Sequence, residues 1–182
     1  SRKYFEKGQE WELFGFKINT FGIDHDSTDC LGYAIDYAGQ RFVIMTDCGS
    51  VNDQMEHYIS TANHLVIEAN HDEHLLLNGP YPTYLKQRIL SPCGHQSNDT
   101  CGQLLVRNYH EGLRNVWLCH LSQENNDPAV AFETISAHLE EIGVVPGENI
   151  FLKPLARTTA GKAYVLNEQI LPQEELNPNE EN

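Results

Sequence analysis

The stretch Arg41–Gly49 reads RFVIMTDCG, a short apolar run that ends in a carboxylate. Residues 42–45 are continuously apolar, which predicts a strand buried on both faces. Asp47 follows this strand, at the kind of strand end where rigid scaffolds gather functional groups. A carboxylate there can bridge two cations, because its two oxygens point at different centres. It can equally cap a helix or close a turn.

Two histidines occupy similar positions. His120 follows the apolar run VWLC, and His25 lies between two aspartates just after an apolar stretch. Together with Asp47 they could converge on a divalent metal ion, because imidazole and carboxylate groups suit zinc or manganese. The competing interpretation for each histidine is a surface or hydrogen-bonded core imidazole. The chain contains nine histidines, so such placement also arises by chance.

A further histidine lies in the segment GHQSN, residues 94–98. His95 precedes a predicted helix N-terminus, and such termini bind anions through free N–H groups and the helix dipole. His95 could therefore donate a hydrogen bond or a proton to a phosphate, even if Ser97 or Asn98 simply caps the helix. Glu68 follows another apolar strand and could orient His95, as general acid–base pairs require. It could equally belong to an exposed acidic turn.

Strands alternate with helices along the chain, which predicts an α/β layered fold. The clearest helix is Pro128–Ile142, with Asp127 as N-cap and Gly143 just beyond its end. Ser50 and Asp53 form a candidate capping box for an earlier helix. Strands are expected at Leu31–Tyr37, Arg41–Thr46, His64–Ala69, Asn115–Leu121, Ile150–Leu155 and Ala163–Leu166.

Length and composition favour one domain over residues 1–166, followed by a tail at 167–182. The tail carries five acidic residues, no basic residue and two prolines, which is typical of disorder. Five cysteines without a C-x-x-C pair favour reduced thiols and a cytoplasmic location. No apolar run approaches the roughly 18 residues that span a bilayer, so no membrane partner is expected.

The net charge of −14 argues against unaided binding to a nucleic-acid backbone, which needs lysine and arginine to displace counterions. A phosphodiester substrate remains compatible with this charge, because bound metal ions would supply local positive charge.

Five segments together resemble the metallo-β-lactamase superfamily, and most closely its stand-alone WalJ/YycJ-type hydrolases. In order they are HDSTDCLGY (25–33), TDCG (46–49), IEANHDE (67–73), GHQSN (94–98) and WLCHLSQENN (117–126). Their order and spacing match over roughly residues 1–165. The resemblance implies the C-terminal part of an αββα sandwich, with two divalent metal ions, zinc or manganese, at one edge of the paired sheets.

Carried over to this sequence, the resemblance implies a role for each matching residue. His25 would be a ligand of the first metal, Asp47 the bridging carboxylate and His120 a ligand of the second. His95 would act beside the scissile phosphate with Glu68 as its partner. The implied activity is two-metal phosphodiester hydrolysis, with DNA exonuclease action the usual assignment in WalJ-type proteins.

The chain departs from the family pattern in one large respect. The His-x-His-x-Asp-His loop of the family's N-terminal half does not occur here, so only three of the expected direct ligands are supplied. We therefore expect metal to be sub-stoichiometric or absent in this chain, and the chain alone to be inactive or nearly so. An incomplete sheet would also expose an edge that invites a homodimer.

Two other functions remain open from the sequence. An ester or thioester hydrolase of the same fold, such as a glyoxalase II-like enzyme, would use the same ligands. A non-catalytic module for protein contact would need none of them. The GHQSN segment favours the phosphodiesterase, and the joint presence of His25, Asp47 and His120 speaks against a loss of metal function in the parent protein.

Overall fold

The computed structural model describes residues 6–174, which form one mixed seven-stranded sheet with helices. The predicted α/β class is confirmed. The strands are β1 (Glu10–Leu13), β2 (Phe16–Gly22), β3 (Leu31–Tyr37), β4 (Gln40–Met45), β5 (His64–Glu68), β6 (Asn115–Cys119) and β7 (Phe151–Pro154). The helices are α1 (Asp53–Ile59), α2 (Glu73–Asn78), α3 (Thr83–Ile89), α4 (Asn98–Asn108) and α5 (Pro128–Glu141).

The order of strands in the sheet is the order in the chain, but their directions change halfway. Strands β1 to β4 pair antiparallel, whereas β4 to β7 pair parallel. A tight turn at Ala38 and Gly39, both with positive φ, joins β3 to β4. Parallel neighbours need longer crossovers, which the helices provide. Strands β2, β4, β5, β6 and β7 consequently all end at the same edge of the sheet.

One face of the sheet carries the core. The side chains of Val43, Met45, Leu65 and Ile67 alternate with outward-facing neighbours and have no exposed surface. Helices α1, α4 and α5 cover this face with apolar residues that belong to the same cluster: Met55, Ile59, Leu104, Leu105, Ile135 and Leu139. Their burial from water is the main stabilising contribution, at about 25 cal/mol per Å² of apolar area.

The opposite face is covered by the chain beyond β7. Phe42, Val66 and Trp117 line a cavity of about 490 Å³ there, together with eight residues of the segment 155–166. The indole of Trp117 contacts Tyr164 with ring centroids 5.5 Å apart. Residues 163–166 are not a strand, so that prediction was wrong: the segment crosses the sheet face and does not extend the ladder.

The two predicted helix N-termini differ in outcome. Asp127 caps α5 by accepting from the N–H of Ala129, with Pro128 in the first turn, as predicted. The cap of α1 is Asn52 and not Ser50: the Asn52 side chain accepts from the N–H of Met55. Ser50 lies two residues before this cap, and its hydroxyl donates to Asp24 instead.

The predicted tail is only partly described. Its residues 167–174 lie along β6 and β7, where the N–H of Leu171 donates to Asn115 Oδ1 and Gln173 Nε2 donates to the carbonyl of Leu152. Residues 175–182 lie outside the described part of the chain. Among residues 6–174, no helix is both long and apolar enough to cross a bilayer.

Candidate metal and phosphate site

Four of the predicted site residues lie at or just after the ends of four strands, along one edge of the sheet. His25 follows β2, Asp47 follows β4, Glu68 is the last residue of β5, and His120 follows β6. Parallel alignment of β4, β5 and β6 brings these ends level, with Glu68 paired opposite Cys119. The fifth residue, His95, reaches the same place from the loop before α4. The structure thus brings together all five residues that the sequence singled out.

Asp47 stands between two imidazoles. Its Oδ1 lies 3.6 Å from His25 Nε2 and 3.6 Å from His120 Nδ1. Asp47 and His120 both have a backbone φ of 57°, in the left-handed region that residues other than glycine rarely adopt. Such strained conformations cluster at functional sites, where the surrounding structure holds them.

Glu68 is fully buried and joins the two other histidines. Its Oε1 lies 2.8 Å from Nδ1 of His95 and 2.8 Å from Nδ1 of His120, and its other oxygen accepts from the N–H of Cys48. Burial is the largest single influence and raises the pKa of Glu68. The hydrogen bonds from His120 and His95, the charge of His95 and the hydrogen bond from the N–H of Cys48 together lower the pKa by more, so the net shift is downward. Glu68 is therefore a buried carboxylate and not part of an exposed turn.

These contacts also define which ring nitrogens carry protons. An ionised carboxylate can only accept, so His95 and His120 donate to Glu68 through Nδ1–H. His25 Nδ1 likewise lies 3.0 Å from the carbonyl oxygen of Gly94, which is also only an acceptor. In the neutral form each of the three rings keeps a lone pair on Nε2, as metal ligands oriented by a carboxylate or carbonyl do.

The hydrogen bond to Glu68 is also the largest influence on His120. It raises the pKa of His120, against the lowering effects of burial and of the positive charge of Arg157. An imidazole held in this way has a fixed ring orientation, which suits a ligand or a proton donor.

Other residues that contact the site were not predicted from the sequence. Arg88 makes two hydrogen bonds to Asp26, of 2.5 and 3.0 Å, and these hold the pKa of Asp26 below its usual range. Asp26 in turn lies 3.4 Å from His25. Arg88 and Asp26 are 62 positions apart, and no local pattern in the sequence indicates their pairing.

Buried asparagines tie the site loops to one another. Asn70 donates to the carbonyl of His120 at 2.8 Å, and its own carbonyl accepts from the N–H of Ser122. Asn98 and Asn126 exchange two side-chain hydrogen bonds of 2.9 Å, and Asn126 also donates to Ala69. Paired polar groups of this kind are costly to disrupt in a low dielectric, so they fix the loops that carry Glu68, His95 and His120.

Gly94 is needed where His25 meets the loop of His95. A Cβ at this position would collide with the backbone carbonyl oxygens of Ile89 and Arg88. Only glycine allows the loop to approach the end of α3 this closely. The carbonyl oxygen of Gly94 then accepts the hydrogen bond from Nδ1–H of His25.

The donor set fits a divalent metal. The ligand atoms of His25, Asp47 and His95 all lie within 4.8 Å of one another, as do those of Glu68, His95 and His120. Among the described residues, the predicted trio of His25, Asp47 and His120 does not form such a group, because His95 and not His120 joins His25 and Asp47. Imidazole nitrogens with carboxylate oxygens suit zinc and manganese, and the chemistry of the set does not distinguish between them. The histidines open onto a cavity of about 540 Å³ that also contains Arg88 and Arg157.

Comparison with known proteins points to one group. Exodeoxyribonuclease YycJ of Bacillus anthracis is 35% identical over 138 residues, which covers 75% of this chain and 52% of YycJ. Exodeoxyribonuclease WalJ of Streptococcus pneumoniae is 36% identical over 137 residues, covering 75% of this chain and 51% of WalJ. The chain therefore spans about half the length of the curated relatives it matches. No protein-family model matches it.

Solved structures agree on the fold. YhfI from Bacillus subtilis, a metallo-β-lactamase fold protein, superposes with a TM-score of 0.54 at 18% identity, over 73% of this chain and 47% of YhfI. Zn²⁺-bound PqqB from Methylobacterium extorquens gives a TM-score of 0.55 at 16% identity, over 85% of this chain and 50% of PqqB. At such low identities the likeness concerns the fold alone.

Proposed function

We propose that the chain belongs to the metallo-β-lactamase superfamily, because it is 35–36% identical to two exodeoxyribonucleases over 75% of its length and shares the metallo-β-lactamase fold of YhfI. Its histidine–carboxylate cluster is then part of a metal-dependent phosphodiesterase that cleaves DNA from its ends, the activity that the names of these relatives give for them. The observation that carries the proposal is the position of Asp47 between the rings of His25 and His120. Asp47 Oδ1 lies 3.6 Å from Nε2 of His25, the free nitrogen of that ring, and 3.6 Å from Nδ1 of His120, whose free nitrogen is Nε2 of the same ring. A carboxylate flanked by two imidazoles matches the arrangement expected of a bridging ligand between two cations.

We assign His25, Asp47 and His120 as direct metal ligands, and two zinc or manganese ions as the cofactor. When bound, the ions would supply positive charge and Lewis acidity at the phosphate. The protein's own contribution is to fix the orientation of the ligand side chains before metal binds. Glu68 and the Gly94 carbonyl fix the rings of His120 and His25, so little reorganisation is needed.

His95 is proposed as the proton-transfer residue beside the scissile phosphate. Its Nδ1–H is engaged by Glu68 at 2.8 Å, so Nε2 is the atom that exchanges a proton with a phosphate or leaving-group oxygen. The buried carboxylate of Glu68 fixes the orientation of this ring through the hydrogen bond to Nδ1. A carboxylate–histidine pair is less useful to an ester or thioester hydrolase that relies on bound metal alone, which favours the phosphodiesterase over that alternative.

The number of proposed direct ligands sets the expected strength of the site. Three ligands for two cations leave coordination positions open, so we expect this chain by itself to bind metal weakly and to hydrolyse substrate slowly or not at all. All five cysteines are free thiols, which supports the proposal of a cytoplasmic protein. A homodimer is proposed through the exposed apolar residues Leu13, Phe14 and Phe16 near edge strand β1.

The function is tested by titrating the chelator-treated chain with Mn²⁺ or Zn²⁺ and measuring metal per chain. Residual hydrolysis of bis(p-nitrophenyl) phosphate is followed in parallel. The proposal expects metal uptake, and any hydrolysis, to depend on Asp47 and His120. Metal uptake that is unchanged in both Asp47→Asn and His120→Ala would overturn it. A carboxylic ester cleaved in preference to the phosphodiester would favour the alternative hydrolase.

A further inference from the structure

A second carboxylate faces the free nitrogen of His25. Nδ1 of His25 donates to the carbonyl oxygen of Gly94 at 3.0 Å, so Nε2 carries the lone pair of the neutral ring. Asp26 Oδ1 lies 3.4 Å from this Nε2, and Asp47 Oδ1 lies 3.6 Å from it. A lone pair beside two carboxylate oxygens is unfavourable unless positive charge is supplied nearby.

Arg88 supplies positive charge to Asp26. Its Nε donates to Oδ2 of Asp26 at 2.5 Å, and its Nη2 donates to Oδ1 at 3.0 Å. Oδ1 is also the oxygen that faces His25 Nε2, so Arg88 and a cation bound to His25 would draw on the same oxygen. The side chains of Arg88 and Asp26 are 60% and 34% exposed, and ion pairs with such access to water are weak enough to be displaced.

We propose that Asp26 strengthens the cation site at His25, and that Arg88 holds Asp26 when no metal is bound, so that Arg88 and the metal ion compete for this carboxylate. The inference rests on the proposed function, because it takes His25 as a metal ligand. Asp26 belongs to neither ligand group found among the described residues, so it acts on the cation through its charge. A doubly charged ion attracts the carboxylate more strongly than the single charge of Arg88 does, which favours the metal in this competition.

The Mn²⁺ affinity of the full chain tests the competition, because the electron paramagnetic resonance signal of free Mn²⁺ measures even weak binding and needs no turnover. Arg88→Ala should tighten Mn²⁺ binding about threefold to fivefold, since it frees Asp26, and Asp26→Asn should weaken binding by a similar factor. In the double variant the effect of Arg88→Ala should vanish, because no carboxylate is left to compete for. Urea unfolding should find Arg88→Ala no more stable than the parent, so the tighter binding would not come from a firmer fold.

Arg107→Ala is the matched control, because it also removes one positive charge, from an arginine that pairs with Glu56 at 3.3 Å outside the cavity. The inference is overturned if Arg88→Ala binds Mn²⁺ no more tightly than Arg107→Ala, or if it tightens binding equally with and without the Asp26 carboxylate. Mn²⁺ binding that depends on Asp47 but not on Arg88 would sink this inference and leave the proposed function standing. A parent chain that binds no Mn²⁺ would remove both.

Discussion

Asp47 and His120 end two different strands with the same backbone φ of 57°, and Nδ1 of His120 lies 3.6 Å from Asp47 Oδ1. The two strands, β4 and β6, are separated in the sheet by β5, whose last residue is Glu68. The strained backbone turns both side chains toward the space beyond Glu68. The site therefore depends on parallel pairing of three strands that are far apart in sequence.

Asp47→Asn should reduce metal affinity by at least about tenfold, because the neutral amide cannot bridge two cations. Asparagine tolerates the left-handed backbone, so the fold should remain unchanged in circular dichroism. Asp29→Asn is a matched control, since Asp29 has a φ of 55° and is exposed. Equal metal affinity for the two variants, measured by isothermal titration, would contradict the assignment of Asp47.

Glu68→Gln should lower the free energy of unfolding by about 2–3 kcal/mol, since a buried carboxylate with three donors becomes an amide with one acceptor oxygen. Urea unfolding monitored by tryptophan fluorescence measures this change. The variant should also bind metal more weakly, because His120 and His95 lose the acceptor that orients them. Glu73→Gln, at an exposed position of α2, should change neither quantity. A Glu68→Gln protein as stable as the parent would show that Glu68 is dispensable to the fold.

The Asn98–Asn126 pair should behave as one unit. Asn98→Ala and Asn126→Ala should each lower the free energy of unfolding by about 1–3 kcal/mol, because each leaves a buried amide without its partner. The double variant should cost clearly less than the sum of the two single changes, which a double-mutant cycle of denaturation experiments measures. Strict additivity would mean that the two amides act independently.

His64 should make stability depend on pH. Burial lowers the pKa of His64 to about 4, from an ordinary value of 6.5, and the neutral ring accepts a hydrogen bond from Asn115. Between pH 6.5 and about 4 the unfolded chain binds more protons at this residue than the folded chain. The free energy of unfolding therefore falls as the pH decreases through that window, and this contribution flattens below about 4.

His64→Gln removes this contribution. The free energy of unfolding of the parent should therefore decrease more than that of the variant between about pH 7 and about pH 4.5. Urea unfolding at several pH values measures the difference. His57→Gln, which changes an exposed histidine on α1, should retain the pH profile of the parent. Parallel profiles for the parent and His64→Gln would show that His64 is not buried as a neutral imidazole.

The sequence by itself determined the local features of this protein. Short apolar runs predicted β4, β5 and β6, and the pair Asp127–Pro128 predicted the start of α5, because strand periodicity and helix capping depend on neighbouring residues. The five ordered motifs also indicated a resemblance to the metallo-β-lactamase superfamily. Residue types at strand ends singled out Asp47 and His120, although their roles as ligands stay proposals.

The tertiary structure alone decided how these pieces meet. The cap of α1 is Asn52 and not Ser50, because the helix begins at Asp53 and the Asn52 side chain accepts from the N–H of Met55. Glu68 became a shared acceptor for two histidines only through the register of the parallel strands. The Arg88–Asp26 pair and the placement of Arg157 likewise depend on distances between residues that are remote in the chain. Hydrogen bonds and charge interactions act through space, so no pattern within a short window of sequence can specify them.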